Sequence, residues 1–391
     1  MIWACTIVLF SFVMFPFIWI CLSSMFLYRL TVFVGVITLS YIAYWYIRYF
    51  LLALSIGRTK ISGDGKCVLI TGCDTGFGHA IALHLNRCGF TVFSGVLNQD
   101  SPEAQSLLQK CQHPEKMRLI TLDVTSITDM DQAYAVIEKH TRSTDQPFSL
   151  INNAGISGFG PLEWGSTEED FAPVIDVNLI GAVKMTMKLL PIMKWSGESR
   201  VIFINSIACY FANPYMASYT VSKRGLKVFA NFLRSQIATS GMAPKVLTME
   251  VTAHKTSMLE QNHVTNIVDG TWSRTPLPVQ LAYTSQFYHS IRMFLSVWKF
   301  FDWFDFAFIN SNLDRVTRTA EHLLTYPHPE NETIVSPFYT AFFVREILIK
   351  LPEEIVDSLF SFASVFSTLV NVFLQALETL KENLKNILRS Q

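Results

Sequence analysis

Tyr219 and Lys223 stand four residues apart, and Ser206 lies thirteen residues before the tyrosine. On a helix, positions i and i+4 share a face, so the ammonium would lie one turn from the phenol. A free tyrosine, with a pKa of about 10, is a poor base at neutral pH. A cation beside it favours the phenolate. With a hydroxyl such as Ser206 to hold an oxygen, the pair is equipped to exchange a proton with an alcohol or a carbonyl group. Tyr-x-x-x-Lys also arises by chance at polar helix starts, so the trio gains weight only from its surroundings.

A second cluster is TGCDTGFG at 71–78, with Gly72, Gly76 and Gly78 spaced G-x-x-x-G-x-G. It joins the apolar run KCVLIT (66–71) to a helical stretch over about 77–88. Without side chains at these positions the backbone can approach a pyrophosphate, and the helix start presents unpaired N–H groups to it. An ordinary strand–helix turn can carry the same glycines. Asp123, read as ending a strand, suits a hydrogen bond to an adenine edge, and Asn152-Asn153-Ala154-Gly155 ends the next strand.

The elements that must position these residues alternate. Strands are expected at 66–71, 90–96, 118–124, 148–155, 200–206 and 245–251. Helical spacing occupies 79–88, 102–112, 127–141, 168–194 and 216–239. This is the pattern of βαβ units: an α/β, Rossmann-like, doubly wound parallel sheet. After Thr256 the rhythm breaks, and residues 262–312 are aromatic-rich before a helix expected at 313–325.

Half of the 391 residues are hydrophobic, 16% are charged and the formal net charge is zero, which argues against nucleic acid as a partner. The seven cysteines are odd in number and include no C-x-x-C, so neither a disulfide framework nor a metal site is suggested. From Met1 to Gly57 the only charges are Arg29 and Arg48. Residues 2–24 and 30–56 are each long enough to cross a bilayer, and Arg58, Lys60 and Lys66 after them place the remainder in the cytosol. The expected organisation is a membrane anchor over 1–57, with one or two spans. A catalytic domain over 60–356 follows, with a lid at 257–312, and then an apolar to amphipathic carboxy-terminal helix over 357–391. That last helix reads as membrane-associated rather than as another span. In that topology the sequon Asn331-Glu332-Thr333 is incidental.

T-G-x-x-x-G-x-G at 71–78, N-N-A-G at 152–155, the isolated Asn178, Ser206 and Y-x-x-x-K at 219–223 resemble the short-chain dehydrogenase/reductase family. The wording TGCDTGFG, GFTVFSGVLN and LINNAG is most similar to its membrane-bound branch. That branch holds the 17β- and 11β-hydroxysteroid dehydrogenases of type 2 and the retinol dehydrogenases. The resemblance implies seven parallel strands in the order 3-2-1-4-5-6-7 and a nicotinamide dinucleotide cofactor. It implies Tyr219 as acid/base, Lys223 tuning it and holding the nicotinamide ribose, Ser206 on the substrate oxygen, and Asn178 supporting a proton-relay water. It carries cofactor binding over to Gly72, Thr75, Gly76, Phe77, Gly78, Asp123, Val124, Asn153, Ala154, Gly155, Tyr219, Lys223 and Thr256. It also implies a homodimer through the helices at about 168–194 and 216–239.

The function so implied is hydride transfer between NAD(H) and a lipophilic alcohol or ketone, a hydroxysteroid or retinol, at the endoplasmic reticulum membrane with the catalytic domain facing the cytosol. The alternatives are a hydroxybutyrate-type dehydrogenase, a mitochondrial membrane location, and a non-catalytic cofactor-binding membrane scaffold. NAD is preferred over NADP because Val96 to Asp100 offer no cation to a 2′-phosphate. They offer no clear carboxylate at the last strand position either. One departure stands out: Val251-Thr252 replace the family's Pro-Gly after the sixth strand. Either the loop takes another course and still closes over the cofactor, or the site is weakened.

Overall fold

The computed structural model describes residues 62–194, 198–213, 215–254, 256–283 and 312–336, most of 23–47, and positions 288, 355 and 358. The chain divides into two units, Met1–Lys60 and Ile61–Gln391.

In the larger unit, seven strands form one parallel sheet in the order β3-β2-β1-β4-β5-β6-β7. They are β1 (Cys67–Ile70), β2 (Thr91–Val96), β3 (Met117–Thr121), β4 (Phe148–Asn152), β5 (Arg200–Ser206), β6 (Lys245–Val251) and β7 (Glu332–Val335). The order is the one the motifs imply, and β7 supplies the strand that apolar patterning does not locate. Residues of β1, β2 and β4 are buried along their whole length. Strands covered on both faces read as continuous apolar runs, which is why they are legible without alternation.

Successive side chains point to opposite faces. Val68 and Ile70 join one core with Ile81 and Leu85 of α1 (Gly76–Arg87), Ala104 and Leu107 of α2 (Pro102–Lys110), and Val316, Ala320 and Leu323 of a later helix. Cys67 and Leu69 join the other core, with residues of α3 (Ile127–Thr144), α5 (Ala182–Met193) and α6 (Ala217–Ser240). Further helices of this unit include α4 (Ala172–Ile175), α7 (Gln261–Arg274) and α8 (Asp314–Thr325). Two π-helical turns, Thr167–Phe171 and Asp176–Gly181, flank α4.

β7 is anchored by charge. Lys227 of α6 reaches Glu250 of β6 (3.2 Å) and Glu332 of β7 (2.8 Å), and Glu250 is fully buried.

Among the described residues of the amino-terminal unit, one helix is long and apolar enough to span a bilayer, Ser23–Tyr44. Its 22 residues, at about 1.5 Å each, reach about 33 Å, close to the thickness of a hydrocarbon core. The boundaries differ from the expected pair of spans: this helix contains Arg29 and crosses the break expected between 24 and 30. The stretch from Met25 to Arg29 has neither Pro nor Gly, so nothing there interrupts a helix. Most of the rest of both expected spans, residues 284–311 of the expected 257–312 lid apart from Tyr288, and nearly all of the 357–391 helix lie outside the described residues.

Candidate active site

The glycine loop leaves β1 and enters α1. Gly72 and Gly76 have φ of +69° and +62°, a left-handed region that costs a residue with a Cβ about 1 kcal/mol or more. Gly78 is needed for a different reason. A Cβ there would overlap the Gly72 carbonyl oxygen and sit 2.5 Å from Asn153 Nδ2, and one on Gly72 would lie 2.8 Å from Ala154 Cα. The loop is clamped by its neighbour strand: Asn153 Nδ2 donates to the carbonyls of Thr71 (2.9 Å) and Gly72 (2.8 Å). Thr71 Oγ1 in turn accepts the N–H groups of Asn153 (3.0 Å) and Ala154 (2.9 Å).

The start of α1 is left open. Ser101 caps α2 and Ser126 caps α3, but Thr75 makes no capping bond to α1, whose first turn also has no acidic residue. A shape a Cβ would fill, beside uncapped N–H donors, fits a pyrophosphate. The nucleotide residues expected from the motifs are thus gathered at one sheet edge.

Asp123 sits two residues beyond the end of β3 at Thr121, rather than on the strand. Its Oδ1 accepts from Thr125 N (2.8 Å) and Thr125 Oγ1 (2.7 Å). Buried Val124 packs against Gly181 of the second π-helical turn.

The proton-handling trio converges from β5 and α6. The Ser206 side chain lies against Tyr219, and its Oγ accepts the Ala208 N–H (3.2 Å). Lys223 Nζ donates to the Ile204 carbonyl (3.0 Å) and lies 5.7 Å from the centre of the Tyr219 ring. Lys223 is 5% exposed, and burial lowers its pKa to about 8. Burial also raises the Tyr219 phenol, with the Ser206 side chain opposing it. The lysine does not offset that rise: its ammonium is spent on Ile204 and stands off the ring.

Asn178, 1% exposed, lies in the second π-helical turn, a distortion common at functional sites. Its Oδ1 accepts from Ile156 N (2.8 Å), and its amide donates to Ile156 O (2.9 Å) and Ser222 Oγ (3.0 Å). It thereby ties the segment after Gly155 to α6. A Cβ on Gly155 would lie 3.2 Å from Asn178 Oδ1 and 3.7 Å from Lys223 Nζ, so all three positions meet.

The Val251-Thr252 departure has a physical resolution. Val251 is the last residue of β6, paired with Val335, and Thr252 donates its N–H (3.2 Å) and Oγ1 (3.3 Å) to the Val335 carbonyl. Both side chains are buried. His254 follows, edge-on to Phe77 at 5.4 Å. Thr256 then comes within 3.6 Å of where a Gly76 Cβ would stand, and Ser257 Oγ lies 2.9 Å from Thr75 Oγ1. The segment after β6 therefore lies against the glycine loop.

Two contributors were given no role from the motifs. Thr71, the first residue of T-G-x-x-x-G-x-G, organises both loops. Asp74 Oδ1 accepts the Leu97 N–H (3.0 Å), bringing a carboxylate to the end of β2 from the glycine loop rather than from the strand itself.

One residue along α6 from Tyr219, Ser218 lines a cleft of ≈ 430 Å³ with residues 156–167, Phe171, Ile267 and Arg274, among others; none of the trio lines it. Phe159, Trp164 and Phe171 are its aromatic lining, and Trp164 packs against Trp272 (4.5 Å) and Tyr283 (6.0 Å). Arg274, from α7, contacts Asp170 and Glu169. Burial alone would raise the Asp170 carboxyl, but the bonds from Arg274 and the Ser166 N–H hold it below its usual value.

The family model described as short chain dehydrogenase matches residues 66–266, from β1 past the trio into α7. The chain belongs to this family. Short chain dehydrogenases are oxidoreductases acting on CH–OH groups, and the Rossmann-type sheet is their nucleotide-binding platform. Human retinol dehydrogenase 5 is 30% identical over 303 residues, 77% of this chain and 89% of that one. Rat 17-beta-hydroxysteroid dehydrogenase type 6 is 29% identical over 313 residues, 80% of this chain and 93% of that one. Rat mitochondrial D-beta-hydroxybutyrate dehydrogenase is 31% identical over 228 residues, 58% of this chain but only 66% of that enzyme's length. Among solved structures, a Brucella melitensis 3-ketoacyl-(acyl-carrier-protein) reductase complexed with NADH aligns at TM-score 0.52 and 21% identity, covering 71% of this chain and 99% of its own. That likeness concerns the fold.

Proposed function

We propose that this chain is a membrane-anchored dehydrogenase interconverting a lipophilic alcohol and its carbonyl form with NAD(H), the substrate being of hydroxysteroid or retinol class. The observation that carries the proposal is the convergence of Tyr219, Lys223 and Ser206 from α6 and β5, with Ser218, next to Tyr219, lining the cleft. Ser206 holds the substrate oxygen, and Tyr219 exchanges its proton. The upward shift keeps the phenol protonated, the form from which the reductive direction starts. Lys223 holds the ribose beside Tyr219. The amide of Asn178 is committed to Ile156 and Ser222, so its main chain is what remains to support a relay water.

Gly72, Thr75, Gly76, Phe77 and Gly78 cradle the pyrophosphate, Asp123 and Val124 meet the adenine, and Asn153, Ala154, Gly155 and Thr256 border the nicotinamide half. When bound, the dinucleotide supplies the hydride acceptor. Asp74 favours NAD over NADP, because a carboxylate at the end of β2 repels a 2′-phosphate.

The hydroxybutyrate reading rests on rodent relatives of that name. The cleft charges oppose it. Among its described lining residues one guanidinium, Arg274, faces three carboxylates, Glu163, Glu169 and Asp170. Arg274 is held by two of them, which leaves no cation for a substrate carboxylate.

The Ser23–Tyr44 helix supports anchoring, with the endoplasmic reticulum membrane and a cytosol-facing catalytic unit as the proposed placement and a mitochondrial membrane as the alternative. Val221, Val228 and Phe232 are exposed along α6, and Met187 on α5, a surface suited to a homodimer.

The test is turnover by the full chain in membranes, with hydroxysteroids, retinol and 3-hydroxybutyrate each offered with NAD⁺ and NADP⁺. Oxidation of a lipophilic alcohol with NAD⁺ is the expected result. Turnover of hydroxybutyrate alone would replace the substrate class, and NADH binding without any turnover would establish the scaffold reading.

A further inference from the structure

We propose that His84, Cys88 and Glu321 form a zinc site that ties α8 to α1, on rigid helices outside the Tyr219 trio. His84 and Cys88 stand one turn apart at the end of α1, where Cys88 is the capping residue, and Glu321 comes from α8. His84 Nε2 lies 2.8 Å from Glu321 Oε2 and 3.7 Å from Cys88 Sγ, and all three donor atoms fall within 4.8 Å of one another.

The donor set is selective. Imidazole nitrogen, thiolate sulfur and carboxylate oxygen together suit zinc, whereas magnesium and calcium take oxygen alone. Tetrahedral zinc, with bonds of about 2.0–2.3 Å, spaces its ligands about 3.3–3.7 Å apart. The His84–Cys88 pair already has that spacing, and the His84–Glu321 pair must open by about half an ångström. The neutral imidazole would bind through Nε2 with its one proton on Nδ1, the Glu321 carboxylate would bind through Oε2, and the Cys88 thiol would release its proton to solvent.

The helices that carry the ligands are packed together by Ile81, Leu85, Val316 and Ala320, so the site is built on a fixed frame. The side chains of His84 and Glu321 remain 18% and 14% exposed, leaving room for water as fourth ligand. No motif spacing signals the site, because Glu321 is 237 residues from His84.

The experiment titrates cobalt(II) into the chelator-treated, reduced full chain in detergent. Cobalt reports thiolate ligation as a near-ultraviolet charge-transfer band. One equivalent should develop the band, and zinc should bleach it. Cys88→Ser should abolish it, whereas Cys111→Ser, which removes another partly exposed thiol, should leave it intact. His84→Gln and Glu321→Gln should weaken binding at least about tenfold, the effect that loss of even an outer-shell partner has. Zinc should raise the melting temperature of wild type and not of Cys88→Ser. Absence of the band in wild type, its survival in Cys88→Ser, or an equal zinc shift in both proteins would overturn the proposal. Metal-free melting curves show whether each variant folds.

Discussion

The Asp74 carboxylate accepts the main-chain N–H of Leu97 at 3.0 Å, fastening the glycine loop to the end of β2. NADP carries nearly two more negative charges than NAD at the ribose, and a site that accepts it usually supplies Arg or Lys there. Here the fixed group is an acid. We expect kcat/KM to favour NAD⁺ by at least about tenfold, equivalent to about 1.4 kcal/mol. Asp74→Asn keeps an acceptor for Leu97 and removes the charge, so it should narrow the ratio mainly by improving NADP⁺. Leu97→Arg should narrow it further. A wild-type enzyme that prefers NADP⁺ in side-by-side assays refutes this account of the strand end.

Tyr219→Phe removes one hydroxyl from a side chain that otherwise keeps its place beside Lys223. Loss of a general acid or base costs about 10²–10⁴-fold in rate. The variant should bind NADH within about threefold of wild type and lose nearly all kcat. Retention of a tenth of wild-type kcat would exclude Tyr219 as the proton-exchanging group.

Gly76 and Gly78 separate two kinds of glycine requirement. Gly76→Ala meets open space, with Thr256 no closer than 3.6 Å, but needs φ of +62°. Its cost should be about 1–2 kcal/mol, the strain of the left-handed region. Gly78→Ala drives a methyl into the Gly72 carbonyl and Asn153 Nδ2, so the β1–β4 clamp itself must shift. Thermal melts and NADH titration should show a modest stability loss for the first and loss of cofactor binding for the second. Equal effects would contradict the geometry.

The sheet was legible because its central strands are covered on both faces, leaving apolar runs such as CVLI and TVFSGV that mark their own ends. β7 was not. It has four residues, and part of what fixes it is charge: Lys227 bridges Glu250 and Glu332 across 105 residues of chain. The site shows the same division. Glycines and the Tyr219–Lys223 spacing are local patterns, readable in one stretch. Asp74 reaching Leu97, Thr252 turning to Val335 and His254 packing on Phe77 depend on contacts between separate elements. No composition rule reports which way such side chains face. The Thr252 case is one that a motif cannot report: in place of the family's glycine stands a threonine buried and hydrogen-bonded to the Val335 carbonyl of β7.

Lys223 is held at a cost that pH can expose. Burial lowers its pKa from 10.5 to about 8. Below pH 8 the lysine is protonated in both folded and unfolded chains, and the folded state bears the full desolvation penalty, about 3 kcal/mol. Between pH 8 and 10.5 the unfolded chain still binds the proton and the folded chain has released it. Stability from this group therefore rises with pH across that window. Lys223→Met keeps the length and removes the charge. It also forfeits the hydrogen bond to the Ile204 carbonyl, worth about 1 kcal/mol. The variant should thus be more stable than wild type at pH 7 by about 2 kcal/mol, and inactive. Its advantage should shrink as pH climbs from 8 towards 10.5, because wild type sheds the same charge. Paired melting curves at pH 7 and pH 9.5, without added nicotinamide dinucleotide, provide the measurement. A variant less stable than wild type at pH 7, or a gap that does not close with pH, would mean that the lysine is solvated or paired in the fold and not desolvated beside Tyr219.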